Sequence, residues 1–313
     1  MKLLIDAGNT RIKWALVEDG MTRCANATGA GMPSPRLLPQ SAGFASNVSE
    51  ADGTSWLRSG ALPVGQASEL PGLFAGSQEI RQIYVSNVAG EVVAQHIRNI
   101  SIGRPVPSDF IVAKKVQCGV RNGYSNAAQL GSDRWAALIA AWHLVQGKCL
   151  VVSCGTAITI DTLSARGEFL GGLILPGVEL MQRSLAAATD QLKFGELNSA
   201  QGRYAPFPQN TADALFSGAI QAACGAIQRQ HALFDDADAP VVLSGGAAGV
   251  LQEHLRHVTG AASRLREEVL CGHSHTRGLR PTVSWPRINL PLRAVDNLVL
   301  QGLLLISQES NVR

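Results

Sequence analysis

Apolar and polar residues follow a repeating order along this chain. At the amino end, Lys2 to Ile5 predicts a strand and a polar turn follows it. A second strand then has Ile12, Trp14 and Leu16 alternating with Arg11, Lys13 and Ala15, the period of a half-buried strand. The Gly-, Pro-, Ser- and Ala-rich stretch 20–45 predicts further short strands joined by loops, Ile83 to Val88 a buried strand, and Glu91 to Ile97 the helix after it. The second half repeats the theme. Cys149 to Val152 predicts a buried strand, Ser153-Cys154-Gly155-Thr156 a small polar turn, and Ile158 to Ile160 the next strand. Ala165 to Glu168 turns the chain into a third strand, Phe169 to Leu175. Later, Val241 to Leu243 leads into Ser244-Gly245-Gly246-Ala247-Ala248-Gly249 and a helix. Each half thus holds strand, small polar turn, strand, and later strand, Ser-Asn or Ser-Gly, helix. We read this as an internal duplication of an α/β unit.

Helices fill the intervals. Ser132 can cap a helix from Asp133 to Gln146 whose Trp135, Leu138, Ile139, Trp142 and Val145 leave it apolar nearly all round, as expected of a helix buried in the core or against a partner subunit. Asn210 can cap a second helix from Thr211 to about Phe234, with Ala214, Gly218, Ala222 and Gly225 on one side for close approach of another backbone. Asp296-Asn297 opens a last apolar helix, Leu298 to Ile306. Residues 261–287, rich in Arg, His and Ser, break the pattern and predict an inserted surface loop or hairpin. Two lobes are expected, 1–118 and 119–313, the second carrying that insertion.

Composition narrows the class. At 313 residues the chain has room for two lobes of ordinary domain size. Its formal charge of +3 is too small and too dispersed to argue for a nucleic-acid partner. Asp6 interrupts the first apolar run well short of a secretory leader, and no apolar run is long enough to span a bilayer. The six cysteines show no framework spacing, so reduced thiols in a cytoplasmic protein are expected. Cys271, His273 and His275, even with His254 and His257, lack the paired spacing of a structural zinc site.

The turn Asp6-Ala7-Gly8-Asn9-Thr10 has a definite chemical use. Gly8 lets the backbone present amide N–H groups, Asn9 and Thr10 add donors for phosphate oxygens, and Asp6 offers an anion to Mg²⁺ or its waters. Lys13, on the polar side of the second strand, can reach a phosphate too. The same residues also suit an ordinary hairpin bend. Gly155-Thr156-Ala157 supplies donors for a second wall, and Ser244-Gly245-Gly246 would let a flat adenine ring lie against backbone, or simply make a tight strand-to-helix connection. There is no G-x-x-x-x-G-K-[ST] and no G-x-G-x-x-G between strand and helix. In Gly131-Ser132-Asp133-Arg134, Asp133 would sit in a first helical turn, where a carboxylate stays ionised and can take a proton from an attacking hydroxyl. Arg134 would suit a substrate carboxylate. Asp is also common at helix starts for capping alone.

Together these segments resemble the type III pantothenate kinases, a family with the older name of Bvg accessory factors. The resemblance rests on Asp6 to Thr10 and Gly131 to Arg134. Supporting matches are Gly155-Thr156-Ala157-Ile158-Thr159-Ile160-Asp161, Gly171 to Gly177, Asn210-Thr211 and Leu298 to Leu303. It implies the duplicated acetate-and-sugar-kinase/Hsp70/actin fold, which is ribonuclease H-like, with two lobes around a nucleotide cleft. It also implies a homodimer with the acceptor pocket near its interface. The implied reaction is transfer of the ATP γ-phosphoryl group to pantothenate, the first step toward coenzyme A. Carried over by motif, Asp6, Ala7, Gly8, Asn9, Thr10, Arg11, Ile12, Lys13 and Thr156 contact ATP, with Asp6 holding Mg²⁺ directly or through water. Tyr124, Gly131, Ser132, Asp133, Arg134 and Thr211 contact pantothenate, with Asp133 as proton acceptor. Family members usually carry Asp at the start of the second phosphate turn, associated with potassium or ammonium; here that position is Ser153, a neutral ligand, which puts the monovalent-cation site in doubt. The rival expectations are a non-catalytic, nucleotide-binding regulatory protein of the same fold, and a related kinase or phosphatase with another substrate.

Overall fold

The structure is a computed structural model that describes residues 1–19, 56–102, 106–188, 202–256 and 290–310. The strands expected in 20–45, the insertion 261–287, and His257, Cys271, His273 and His275 lie outside the described residues. The chain divides into two compact units, 1–140 with 295–313, and 141–294. The division falls inside a helix rather than at the expected 118/119 boundary. Residues 119–140 and the terminal helix therefore cluster with the turn that follows Asp6.

In the first unit, β1 (Lys2–Ala7) pairs antiparallel with β2 (Arg11–Val17), and β2 antiparallel with β3 (Arg58–Pro63). On the other side, β1 pairs in parallel with β4 (Gln82–Asn87), and β4 in parallel with β5 (Ser108–Phe110). The order is β3-β2-β1-β4-β5. Leu3, Ile5, Ile12, Trp14 and Leu16 pack on one face with Leu70 and Phe74 from α1 (Leu70–Leu73) and its end, and with Val93 and Ile97 of α2 (Glu91–Arg98). Each fully buried Leu or Ile there contributes roughly 1.5–3 kcal/mol. β2 is not half-buried as its alternation suggests, because Ala15 and Val17 are buried as well. The terminal helix, α7 (Leu298–Glu309), touches β1, β2 and β4. Lys2 Nζ on β1 donates to Ser307 O at 2.9 Å and to Ser307 Oγ at 3.2 Å.

Several elements escape the pattern for identifiable reasons. Strand β3 has little apolar periodicity because Gly60 makes room for the Trp14 ring, which an added Cβ would meet at 2.7 Å. The strands β6 (Val116–Gln117) and β7 (Val120–Asn122) form a hairpin turning through Cys118 and Gly119, both at positive φ (48° and 78°), as a two-residue hairpin turn requires.

The helix α3 (Ser132–Val145) starts one residue earlier than expected. Its first helical bond runs from Trp135 N to Gly131 O at 2.9 Å, so Gly131 takes the cap position and Ser132 is the first helical residue.

The second unit has the same plan. β8 (Cys149–Cys154) pairs antiparallel with β9 (Ala157–Leu163), and β9 antiparallel with β10 (Glu168–Pro176). β8 also pairs in parallel with β11 (Val241–Ser244), and β11 in parallel with β12 (Leu292–Ala294). The order β10-β9-β8-β11-β12 reproduces β3-β2-β1-β4-β5 strand for strand and direction for direction. The duplication inferred from sequence is thus present in the topology, and the fold is a duplicated, ribonuclease H-like α/β architecture. The core here joins Leu150, Val152, Ile158, Ile160, Val241 and Leu243 to Ile220, Ala223 and Ile227 of α5 (Thr211–Ala232). It also takes in Leu251 and Leu255 of α6 (248–256). The remaining helix, α4 (Val178–Ala188), runs beside α5. Cys118, Cys149, Cys154 and Cys224 are not bridged by disulfides, and burial pushes the last three up to about 12.

Candidate active site

In β1, Leu3, Ile5 and Ala7 face the core, so the alternation of a strand turns Asp6 to the opposite face. Sheet register sets its neighbours: Lys13 lies directly across on β2 and Ser86 directly across on β4. The row Lys13, Asp6, Ser86 therefore runs across three strands. The hairpin after β1 is closed by Gly8 N donating to Arg11 O at 3.1 Å and tied to the next segment by Val64 N donating to Thr10 O at 2.9 Å. Asn9, Thr10 and Arg11 are exposed. Ala7 and Ile12 are fully buried, so their side chains belong to the core and only their backbone is offered to a ligand.

The start of α3 approaches the same row. Ser132 Oγ lies 3.0 Å from Ser86 Oγ, and both side chains are buried. Asp133 Oδ1 accepts from Arg134 N at 2.8 Å and lies over Gly131, where an added Cβ would come within 2.6 Å of that oxygen. A side chain at 131 would therefore displace the Asp133 carboxylate from this position. Asp6 feels this arrangement: burial pushes it up to about 7, the Lys13 ammonium opposes the rise and the Asp133 carboxylate reinforces it. The Asp6 carboxyl offers hard oxygen donors of the kind that Mg²⁺ takes.

Arg134 is buried and faces Tyr124. Its Nη1 donates to the Tyr124 hydroxyl at 3.3 Å, and its guanidinium carbon is 5.9 Å from the ring centroid. Tyr124 is held in turn by its N–H donating to Asn122 Oδ1 at 3.0 Å and by Lys115 Nζ donating to its carbonyl at 3.3 Å. Fixed positive charge next to an aromatic ring suits a carboxylate on a small organic molecule. The sequence matched Tyr124 to this neighbourhood only through resemblance, and the structure brings it to Arg134.

The second unit carries the other predicted residues. Ser153 pairs across to Thr159 on β9 and to Ser244 on β11. The row Thr159, Ser153, Ser244 is thus the counterpart of Lys13, Asp6, Ser86. Ser153 stands where the first unit has Asp6, and the charged row has become three hydroxyls. The Thr159 hydroxyl is buried with no hydrogen-bond partner. Thr156 is exposed in a turn closed by Gly155 N donating to Ala157 O at 3.0 Å, and Gly177 N donates to Thr156 O at 2.8 Å. Gly245 sits at φ 104°, where a Cβ would meet Cys154 O at 2.5 Å, so the third small-residue turn lies directly on the second. Thr211 is exposed as the first residue of α5, whose cap Asn210 accepts from Asp213 N at 2.9 Å.

Ser86 was missed as a site residue by sequence reasoning. Its one signal was the Ser-Asn that ends a buried strand, in the same place as Ser244-Gly245 in the other half.

The raised Asp6 has a stability consequence. A carboxyl whose folded value lies above the ordinary 3.8 favours the fold while neutral, and that contribution fades as pH rises toward about 7. Asp6→Asn abolishes the loss. The ligand-free variant's melting temperature, relative to the parent's, is expected to rise between pH 4 and pH 8; a difference flat across that window would contradict the buried, proton-binding Asp6.

The sequence profile described as type III pantothenate kinase matches residues 64–232. Curated relatives of the same description span nearly the whole chain. The protein from Nitrosospira multiformis is 36% identical over 312 residues, covering 99% of this chain and 92% of the relative. That from Aromatoleum aromaticum is 37% identical over 310 residues, covering 99% and 98%. That from an Azoarcus species is 40% identical over 249 residues, covering 79% and 81%. With a profile match over more than half its length and full-length relatives well above 30% identity, this chain belongs to the type III pantothenate kinase family.

Proposed function

We propose that this chain transfers the γ-phosphoryl group of ATP to the primary hydroxyl of pantothenate, giving 4'-phosphopantothenate, the first step toward coenzyme A. The observation that carries this reading is the desolvated Asp6 carboxyl beside an exposed, donor-rich turn and within the electrostatic reach of Asp133, in a chain of this family. Asp133 takes the proton of the attacking hydroxyl, and Arg134 with Tyr124 holds the pantothenate carboxylate. Gly131 and Ser132 line the acceptor, and Thr211 is a further acceptor contact. The turn from Asp6 to Lys13 meets ATP phosphates through backbone amides, the Asn9 and Thr10 side chains and the Lys13 ammonium, with Thr156 as a further phosphate contact. Mg²⁺ held by Asp6, directly or through water, would neutralise charge developing on the phosphates.

At Ser153 the donors are neutral hydroxyls, so a potassium or ammonium ion would be held weakly there. The reduced, buried thiols accord with a cytoplasmic protein. A homodimer is supported by the exposed Leu170, Leu173 and Ile174 on β10 and by the exposed small-residue side of α5 at Ala214, Gly218, Ala222 and Gly225. The non-catalytic regulatory reading is not favoured, because both carboxylates are present in the same unit and the relatives are kinases.

Purified protein is expected to release ADP from Mg·ATP only when pantothenate is added, and the rate should change little when sodium replaces potassium or ammonium. Absence of pantothenate-dependent turnover in all three buffers would end the kinase reading, and a strict potassium requirement would show that other groups complete a cation site. Asp133→Asn should keep ATP binding and lose at least about 100-fold in kcat; near-normal turnover would remove Asp133 as the base. Sedimentation at micromolar concentration should give twice the chain mass, and a monomer there would remove the dimer.

A further inference from the structure

We propose that Ser86 is a positioning residue for phosphoryl transfer, acting through Ser132 to hold Asp133 against Asp6; this rests on the kinase reading above. The end of β4 links the two carboxylates through separate contacts. On one side Ser86 is the sheet partner of Asp6, and Val88 N donates to Ala7 O at 3.0 Å, which fixes the strand end from which the phosphate turn departs. On the other side Ser86 Oγ and Ser132 Oγ are 3.0 Å apart, and Val88 Cγ1 lies 4.0 Å from where a Cβ of Gly131 would stand. Asp133 follows Ser132 directly. The serine pair is thus a direct side-chain link between this strand and the start of α3.

Burial makes that pair consequential. Ser86 is 0% exposed and Ser132 8%, so neither hydroxyl can exchange its partner freely for water. A hydroxyl both donates and accepts, so each serine satisfies the other whichever proton is used. Without Ser86 Oγ, the Ser132 hydroxyl loses this partner and residues 131–133 are freed to shift. The position of Asp6 would not change, because the β1 pairings with β2 and β4 are made by backbone. Ser86 touches neither reacting group and acts on the geometry of the proton acceptor. Displacing a reacting group by about 1 Å costs on the order of 100-fold in rate.

The test uses full-length Ser86→Ala, Ser132→Ala, the double variant, and Ser86→Cys, which keeps a weak donor. Ser86→Ala is expected to lower kcat by roughly 10- to 100-fold with the KM for ATP within about twofold of the parent. Ser86→Cys should recover part of the loss. In the Ser132→Ala background the Ser86 change should cost little more, since its route is already cut. Amide exchange should quicken at 131–134 and stay unchanged in the turn 8–11. A folded Ser86→Ala protein with kcat within about twofold of the parent, or additive losses in the double variant, would overturn the proposal. So would unchanged exchange at 131–134, whatever the assay gives. A parent without pantothenate-dependent turnover would instead overturn the kinase reading, and the exchange measurement would still decide the role of Ser86.

Discussion

The desolvation of the Asp6 carboxyl is the constraint on which the site in the first unit turns. Backbone pairing holds Asp6 between Lys13 and Ser86, and the serine pair ties Ser132, next to Asp133, to β4. Burial is what pushes Asp6 up to about 7; the Lys13 ammonium opposes that rise and the Asp133 carboxylate adds a smaller share to it.

The duplication shows how the two halves of such a fold are specialised. Strand order, strand direction and the three-residue row across the sheet are the same in both units. What differs is the chemistry on that row. The first unit keeps a lysine, an aspartate and a serine; the second has a threonine and two serines, and its turn is one residue shorter between the closing backbone bonds. The charged side chains of the row are in one unit, while the row in the other unit offers neutral hydroxyls. Gly245 resting on Cys154 compresses the second unit's turns together without any ionic contribution.

The polar turn 8–10, its counterpart 155–156 and the buried strands were legible in the sequence because each depends on local physics. Short-range alternation marks strands, and small polar residues mark the bends between them. The strand β3 was not legible, since its Gly60 is explained only by the Trp14 ring lying across it. The hairpin at Cys118-Gly119 was hidden by a residue not usually found at a left-handed turn position. Strand β2 looked half-buried because nothing local announces that the chain's last helix returns to cover its other face.

The sequence by itself determined the repeated α/β plan, the two phosphate-type turns, the family and the identity of Asp133 as the carboxylate at a helix start. Those properties are written in residue type and spacing along the chain. Only the tertiary structure decided that Gly131 to Arg134 lie in the same unit as Asp6, that Tyr124 meets Arg134, and that Ser86 pairs across from Asp6 and meets Ser132. These relations join residues ten or more positions apart, set by sheet register and helix packing, and no local pattern encodes them. The turn at Asp6 was readable from the start; its partner across β4 became visible only when the strands were laid side by side.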